Sequence, residues 1–180
     1  ELLAGLTDHD AQTIAFVASR QGAELVSLAA QELSAQPTRI ASYRGGYLAL
    51  DRRSLEAGLH TGELRGLAST NALELGVDIA GMDAVLISGF PGKLSSFWQQ
   101  AGRAGRRSGV SLVILVASSG PLDQFIINHP EYFFDQSPEN ATVDPNNLII
   151  VTSHLKCAAF EIPFKDNESF GLDPASTQEI

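Results

Sequence analysis

Gln99, Arg103 and Arg106 recur at intervals of four and three residues in the stretch QQAGRAGR, with Gly102 and Gly105 between them. If residues 99–106 are helical, those three side chains line one face. Two glycines within such a helix each cost roughly 1 kcal/mol relative to alanine, so their presence calls for a reason, and keeping that face uncluttered is one. Two arginines there suit a polyphosphate, because the guanidinium is permanently charged and its planar fork bonds oxygens bidentately. Three further places carry weaker signals. Ser19 and Arg20 follow an apolar run and open a helical pattern, so Ser19 reads as an N-cap whose helix start also offers N–H groups to an anion. RGGY (44–47) sets Arg44 beside Gly45 and Gly46, either a close backbone approach or a left-handed turn. Thr70 stands where a short helix would begin, followed by Gly76 and Asp78 in a tight loop.

The elements that must position these residues are read from apolar runs. TIAFVAS (13–19), RIASY (39–43), LRGLAST (64–70), AVLISGF (84–90) and SLVILVAS (111–118) are mostly continuous rather than alternating, as in strands covered on both faces. Helical patterns separate them. Residues 21–36 carry Leu25, Leu28, Ala29 and Leu33, residues 48–62 carry Leu48, Leu55 and Leu59, and residues 94–102 form a third. The fold class is therefore α/β, with a parallel sheet and helices on both faces. Functional groups in such sheets gather at the carboxyl ends of the strands, and all four signals are expected there. PLDQFIINH reads as a short helix before Pro130. LIIVTSHLKCAAFEIPF is apolar with helix and strand both open, and the closing residues read as a polar linker. The organisation expected is a domain over 1–120 and a C-terminal extension over 121–180, leading toward a further domain.

Composition bounds the partners. The chain has 180 residues, net charge −9 and a single cysteine, Cys157. No apolar run is long enough for a membrane span, and one cysteine excludes an internal disulfide framework and fits a reducing, cytoplasmic setting. Because the first residue is Glu1 rather than Met, the chain reads as a piece of a longer polypeptide. A net acidic chain argues against a free-standing nucleic-acid binder, yet nine of the twelve Lys and Arg residues fall within 39–107, a stretch of net +3. That distribution allows one anion-binding edge on an otherwise acidic body.

TIAFVASRQGAE, SYRGGYLALDRRSLEAGLHTGELRGLASTNALELGVDI and QQAGRAGR together resemble motifs IV, IVa, V and VI of superfamily 2 helicases, in order and at the usual separations. The resemblance covers roughly residues 10–120 and implies the second RecA-like lobe of an ATP-driven nucleic-acid motor. It implies Arg106 as arginine finger, Arg103 as its companion on the γ-phosphate, Gln99 in support, and Gly76 and Asp78 near the nucleotide. It also implies backbone contacts to nucleic acid from Ser19, Arg20, Arg44, Gly46 and Thr70. GGYLALDRR and residues 139–164 further resemble the mitomycin repair factor A family of bacterial DNA helicases, implying 3′→5′ translocation on DNA, in preference to RNA, and a role in repair. That family carries a cysteine-rich zinc domain. Here His154 and Cys157 are only two of the four ligands a structural zinc requires, and both read as helix residues, so no metal site is expected.

The chain contains no G-x-x-x-x-G-K-[ST] and no DEAD-like run, so nothing in it cradles a β-phosphate or holds magnesium. The arginines are half a site. ATP and Mg2+ would be shared with a first lobe in the same polypeptide, and this segment alone would be inactive. The competing readings are a lobe of an RNA helicase or remodeler and a non-catalytic docking module. A self-sufficient nucleotide-binding enzyme would need a glycine-rich strand-to-helix fingerprint that is missing.

Overall fold

The computed structural model describes residues 1–73, 79, 81–105, 110–135, 147–165, 168–171 and 177. It divides into two compact units, Glu1–Glu139 and Asn140–Ile180. In the first, α1 (Leu2–Asp8) precedes five strands: β1 (Thr13–Phe16), β2 (Ile40–Tyr43), β3 (Gly66–Ser69), β4 (Ala84–Ser88) and β5 (Leu112–Val116). Between them run α2 (Arg20–Leu33), α3 (Ala49–Thr61) and α4 (Leu94–Ala101), and α5 (Pro121–Asn128) and α6 (Glu131–Phe134) follow. All pairings are parallel, in the order β2-β3-β1-β4-β5. Thr13 is level with both Gly66 and Ala84, and Ile40 with Gly66. The α/β, parallel-sheet expectation holds, and each of the five apolar runs contains its strand.

β1, β3 and β4 bury both faces with different residues, whereas the edge strand β5 is exposed or half-buried along its length, against the expectation that every run is covered on both faces. Ile14, Phe16, Leu67, Val85 and Ile87 point to one side and pack with Leu59 of α3, Leu94 and Phe97 of α4 and Ile126 of α5. Each such side chain taken from water contributes about 1.5–3 kcal/mol. Ala15, Ala68 and Leu86 point to the other, against Leu3 and Ala4 of α1 and Ala30 of α2. This second face is built small so that helices approach closely. A Cβ on Gly66 would lie 2.5 Å from the Thr7 hydroxyl. The same economy corrects the reading of α2: Leu25, Leu28 and Leu33 are exposed, while Ala23, Ser27 and Ala30 form the buried stripe.

In the second unit, the ambiguous apolar run is a helix, α7 (Leu148–Glu161), with His154 and Cys157 on it. Asn147 caps it by accepting from the N–H groups of Ile149 and Ile150. The described part of the polar tail is tied down rather than loose. Phe164 and Phe170 pack edge to face at 5.8 Å, and Thr177, itself buried, accepts from the Phe170 N–H at 3.4 Å. Among the described residues no helix is long and apolar enough to cross a membrane.

Candidate nucleic-acid and phosphate sites

Three strand ends bring Ser19, Arg20, Arg44, Gly46 and Thr70 to one edge of the sheet. β3 lies between β1 and β2, so the loops leaving their carboxyl ends are neighbours. Ser19 has extended backbone and its hydroxyl accepts from the Gly22 N–H at 3.0 Å, the expected N-cap of α2. Arg20 is exposed in the first turn, and its guanidinium reaches across to the RGGY loop, where a Cβ on Gly45 would lie 3.7 Å from it. Gly46 takes φ +103°, a conformation that favours glycine, so the turn and the exposed backbone coincide. Thr70 is buried, with its hydroxyl 3.4 Å from the Ala72 N–H at the start of a 3₁₀ turn, Asn71–Leu73.

Arg44 is held rather than loose. Its Nε donates to Glu24 of α2 at 2.8 Å and its guanidinium lies 4.8 Å above the Tyr47 ring. Hydrogen bonds from Arg44, Tyr47 and Ser42 hold the Glu24 carboxyl below its usual range, and the carboxylate in turn raises the Arg44 guanidinium. Beneath them Tyr43 is buried and donates to Glu56 at 2.8 Å, and burial with that carboxylate pushes its phenol up to about 12.

Beside this edge the chain reverses direction across the sheet: β1 feeds α2 on one face and β4 feeds α4 on the other. The switch opens a crevice of about 270 Å3 between their carboxyl ends, lined by Phe16, Val17, Ser88, Phe90, Ser96 and Gln100 among others. Its β4 lip is shaped by Gly89, at φ +78°, and braced by Asp123. The buried Asp123 carboxylate accepts from the Ser118 N–H at 2.7 Å and the Phe90 N–H at 3.1 Å, and the Ser118 side chain together with these two N–H groups holds it below the ordinary carboxyl range. Sequence reasoning missed this brace; the signal available was SGFPG, whose two glycines flank a proline.

The arginine stretch departs from its expected form. α4 ends at Ala101, so Gln99 and Arg103 do not share a helical face. Gly102 caps the helix, and Arg103 and Ala104 turn away, the Arg103 N–H bonding the Gln100 carbonyl. The turn is then pinned to the strand layer. Met82 N–H donates to the Arg103 carbonyl at 3.1 Å, Gly105 N–H donates to the Met82 carbonyl at 3.0 Å, and Met82 bridges to Ala104. Gly105 has φ +113°, so its reason is backbone conformation, not clearance along a helix. The Arg103 side chain is half-buried and its Nη1 reaches the Ile79 carbonyl at 3.4 Å; Gln99 is exposed on α4.

Met82 precedes β4, so this turn lies at the amino end of the sheet, and the expectation of four signals at the carboxyl ends is corrected for Arg103. A five-residue strand separates the two ends by about 17 Å. Gly76, Asp78 and Arg106 lie outside the described residues.

Residues 1–108 match the helicase conserved C-terminal domain. The chain belongs to that family. Its five-stranded parallel sheet is that of a helicase C-terminal RecA-like lobe, followed by a helical extension. Residues 143–180 match the winged helix domain of ATP-dependent helicase HRQ1, a likeness that the composition of the tail did not suggest. The chain is 51% identical over 174 residues to the uncharacterized ATP-dependent helicase YprA of Bacillus subtilis, covering 95% of this chain and 23% of that protein. To ATP-dependent helicase HRQ1 of Saccharomyces cerevisiae it is 42% identical over 173 residues, 91% of this chain and 16% of the relative. A crystal structure of DUF1998 helicase MrfA bound to DNA and AMPPNP superposes with a TM-score of 0.83 at 49% identity, over 99% of this chain and 26% of that one. The chain thus spans about a quarter or less of the length of these relatives.

Proposed function

We propose that this chain is the second RecA-like lobe of an ATP-dependent superfamily 2 DNA helicase or translocase, working 3′→5′ in DNA repair in the cytoplasm. The lobe proper is assigned to residues 1–120 and the C-terminal extension to 121–180. The observation that carries the reading is the division of labour across the sheet. A backbone-pinned arginine turn sits at the amino end of β4, and a row of helix-start, glycine and arginine groups sits at the carboxyl ends of β1, β2 and β3. That the similar MrfA structure is bound to DNA and AMPPNP supports DNA and a nucleotide as the two ligands.

Arg106 is proposed as the arginine finger and Arg103 as its companion on the γ-phosphate of ATP, with Gln99 supporting and Gly76 and Asp78 near the nucleotide. The half-buried guanidinium of Arg103, already steered by the Ile79 carbonyl, fits an anion-contacting role. The phosphate cradle and magnesium ligands are assigned to a first lobe, with ATP bound between the two. Among the described residues no three His, Cys, Asp or Glu side chains converge to hold a metal ion. Closure gains the arginine–phosphate bonds and hydrolysis removes them, so the lobe moves against the strand gripped by Ser19, Arg20, Arg44, Gly46 and Thr70.

The test is made in the full-length protein. Arg106→Ala lowers DNA-stimulated ATP hydrolysis by about 10³–10⁵, the range measured for such fingers, with DNA affinity nearly intact. Arg106→Lys fails too, because an ammonium keeps the charge and loses the fork. Thr70→Ala weakens coupling to DNA with a milder loss of nucleotide binding. Parental hydrolysis by a folded Arg106→Ala protein overturns the motor assignment, and stronger stimulation by RNA than by DNA overturns the substrate.

A further inference from the structure

Glu24 collects three donors from one six-residue segment at the end of β2. Ser42 Oγ donates to its Oε2 at 2.8 Å, and Arg44 Nε and Tyr47 OH both donate to its Oε1 at 2.8 Å. Ser42 Oγ and Tyr47 OH also lie 2.6 Å apart, and since each carries a single proton, one of them gives it to Glu24 while the other can give its own either to Glu24 or to its neighbour. Arg44 is thereby held on two sides, at the Nε edge by a carboxylate and on its face by the Tyr47 ring. Its terminal nitrogens make no hydrogen bond to a described residue, and Nη1 lies beside Gly46, 3.6 Å from where a Cβ would stand.

As a stabilising device this pair is weak, since both side chains are about a third exposed and pairs of that kind contribute little. As part of a phosphate-binding edge a carboxylate is unfavourable by its charge. What the arrangement does supply is orientation: an arginine has several free rotors, and fixing them before the ligand arrives removes that entropy loss from binding.

We propose that Glu24 is a positioning residue of the nucleic-acid track, seating Arg44 with Tyr47 so that the terminal guanidinium edge is presented beside the Gly46 backbone to one phosphate of the strand. The inference rests on the reading of Arg44 as a backbone contact. Arg44 then behaves as a preset fork, and Glu24 acts only through it.

The experiment is a double-mutant cycle in the full-length protein, measuring affinity for single-stranded DNA across a salt series, with melting temperature as a folding control. Arg44→Ala in the parent lowers affinity and reduces the slope of log K against log salt by about 1, as expected for one lost phosphate contact. In a Glu24→Ala background the same Arg44→Ala change alters affinity by no more than about twofold, because the seat is already gone. Glu24→Gln, which keeps an oxygen acceptor at the same reach, preserves most of the Arg44 effect. Tyr47→Leu, which removes the face of the clamp, shrinks it and decides the matter if Glu24→Ala does not fold. An Arg44→Ala loss of equal factor in all backgrounds overturns the role of Glu24 while leaving Arg44 a DNA contact. Parental affinity and salt slope for Arg44→Ala alone overturn both.

Discussion

Gly105→Ala is the sharpest probe of the arginine turn, because the cost it imposes is conformational. Among the described residues a Cβ at Gly105 would find nothing nearer than the Ser111 hydroxyl at 3.7 Å, so none of them clashes with it. The backbone, however, stands at φ +113°, which an L side chain occupies at about 1–3 kcal/mol. The turn escapes that strain only by giving up the bonds that tie it to Met82, Arg103 C=O to Met82 N–H and Gly105 N–H to Met82 C=O. At about 0.5–1.5 kcal/mol net each, losing both costs roughly as much as the strain itself. The variant therefore keeps the turn strained, melting about 2–12 °C lower for a chain of this size, or frees it and displaces the residue that follows, Arg106. Since about 1.4 kcal/mol is tenfold in rate, a tenfold or greater fall in kcat for DNA-stimulated ATP hydrolysis is expected in the second case. Gly62→Ala, at φ +81° where α3 ends, imposes comparable strain away from the turn and should lower melting while sparing kcat. Steady-state hydrolysis and thermal melting of both variants decide it. If Gly105→Ala keeps parental melting and parental kcat, the pinned left-handed turn has no bearing on the arginines.

Other sites give simpler outcomes. Gly66→Ala drives a Cβ to 2.5 Å from the Thr7 hydroxyl and 3.0 Å from Ile40 between sheet and α1, so chemical denaturation should show a loss of about 1–3 kcal/mol or more; an unchanged midpoint would mean that α1 moves freely off the sheet. Asp123 has a lowered pKa when folded, so its contribution is present above the ordinary carboxyl value of 3.8 and is lost as pH falls through the still lower folded value. Asp123→Asn should therefore melt lower than the parent at neutral pH, with the gap closing in strong acid; a gap independent of pH would assign the loss to packing alone. Ser19→Ala removes the cap on Gly22 N–H and should cost about 0.5–2 kcal/mol by denaturant titration, with a fall in DNA affinity beyond what partial unfolding explains if the hydroxyl also meets the strand.

Much of this fold was legible because its strands are short apolar runs, and the central three, β1, β3 and β4, are buried on both faces, whereas β5 reads alike but is largely exposed. Strand order was not, because β3 crosses over β1 to reach β4, and no local pattern encodes that step. The leucines of α2 misled for a physical reason. Helical spacing locates a stripe, but here the stripe that fits an alanine-lined sheet face is Ala23, Ser27 and Ala30. α7 was ambiguous because apolar residues surround it, with Leu148, Ile149 and Ile150 all exposed within its first turn. The deciding signal was its cap, Asn147. In QQAGRAGR the glycines were noticed and misassigned: as helix residues they seemed costly, whereas one ends the helix and the other takes a conformation that favours glycine.

That misassignment bears on how the lobe would work. Had residues 99–106 been helical, the arginines would ride on α4 and could shift with it independently of the sheet. Instead the turn is hydrogen-bonded to Met82, two residues before β4 begins, and the Ala84 N–H is bonded in turn to the Gln12 carbonyl just before β1. Ile14, Leu67 and Val85 in the strands that follow are fully buried, and interiors packed to that density pass on a displacement rather than absorb it. On the proposed reading, a pull on the arginine turn is therefore a pull on the strand layer, and the loops at its far end, with Ser19, Arg44 and Thr70, move with it. On that reading the glycine at 105 and the hydrogen bonds at Met82 would join the proposed phosphate end of the lobe to its proposed nucleic-acid end, and a lobe so joined would step along a strand as one body.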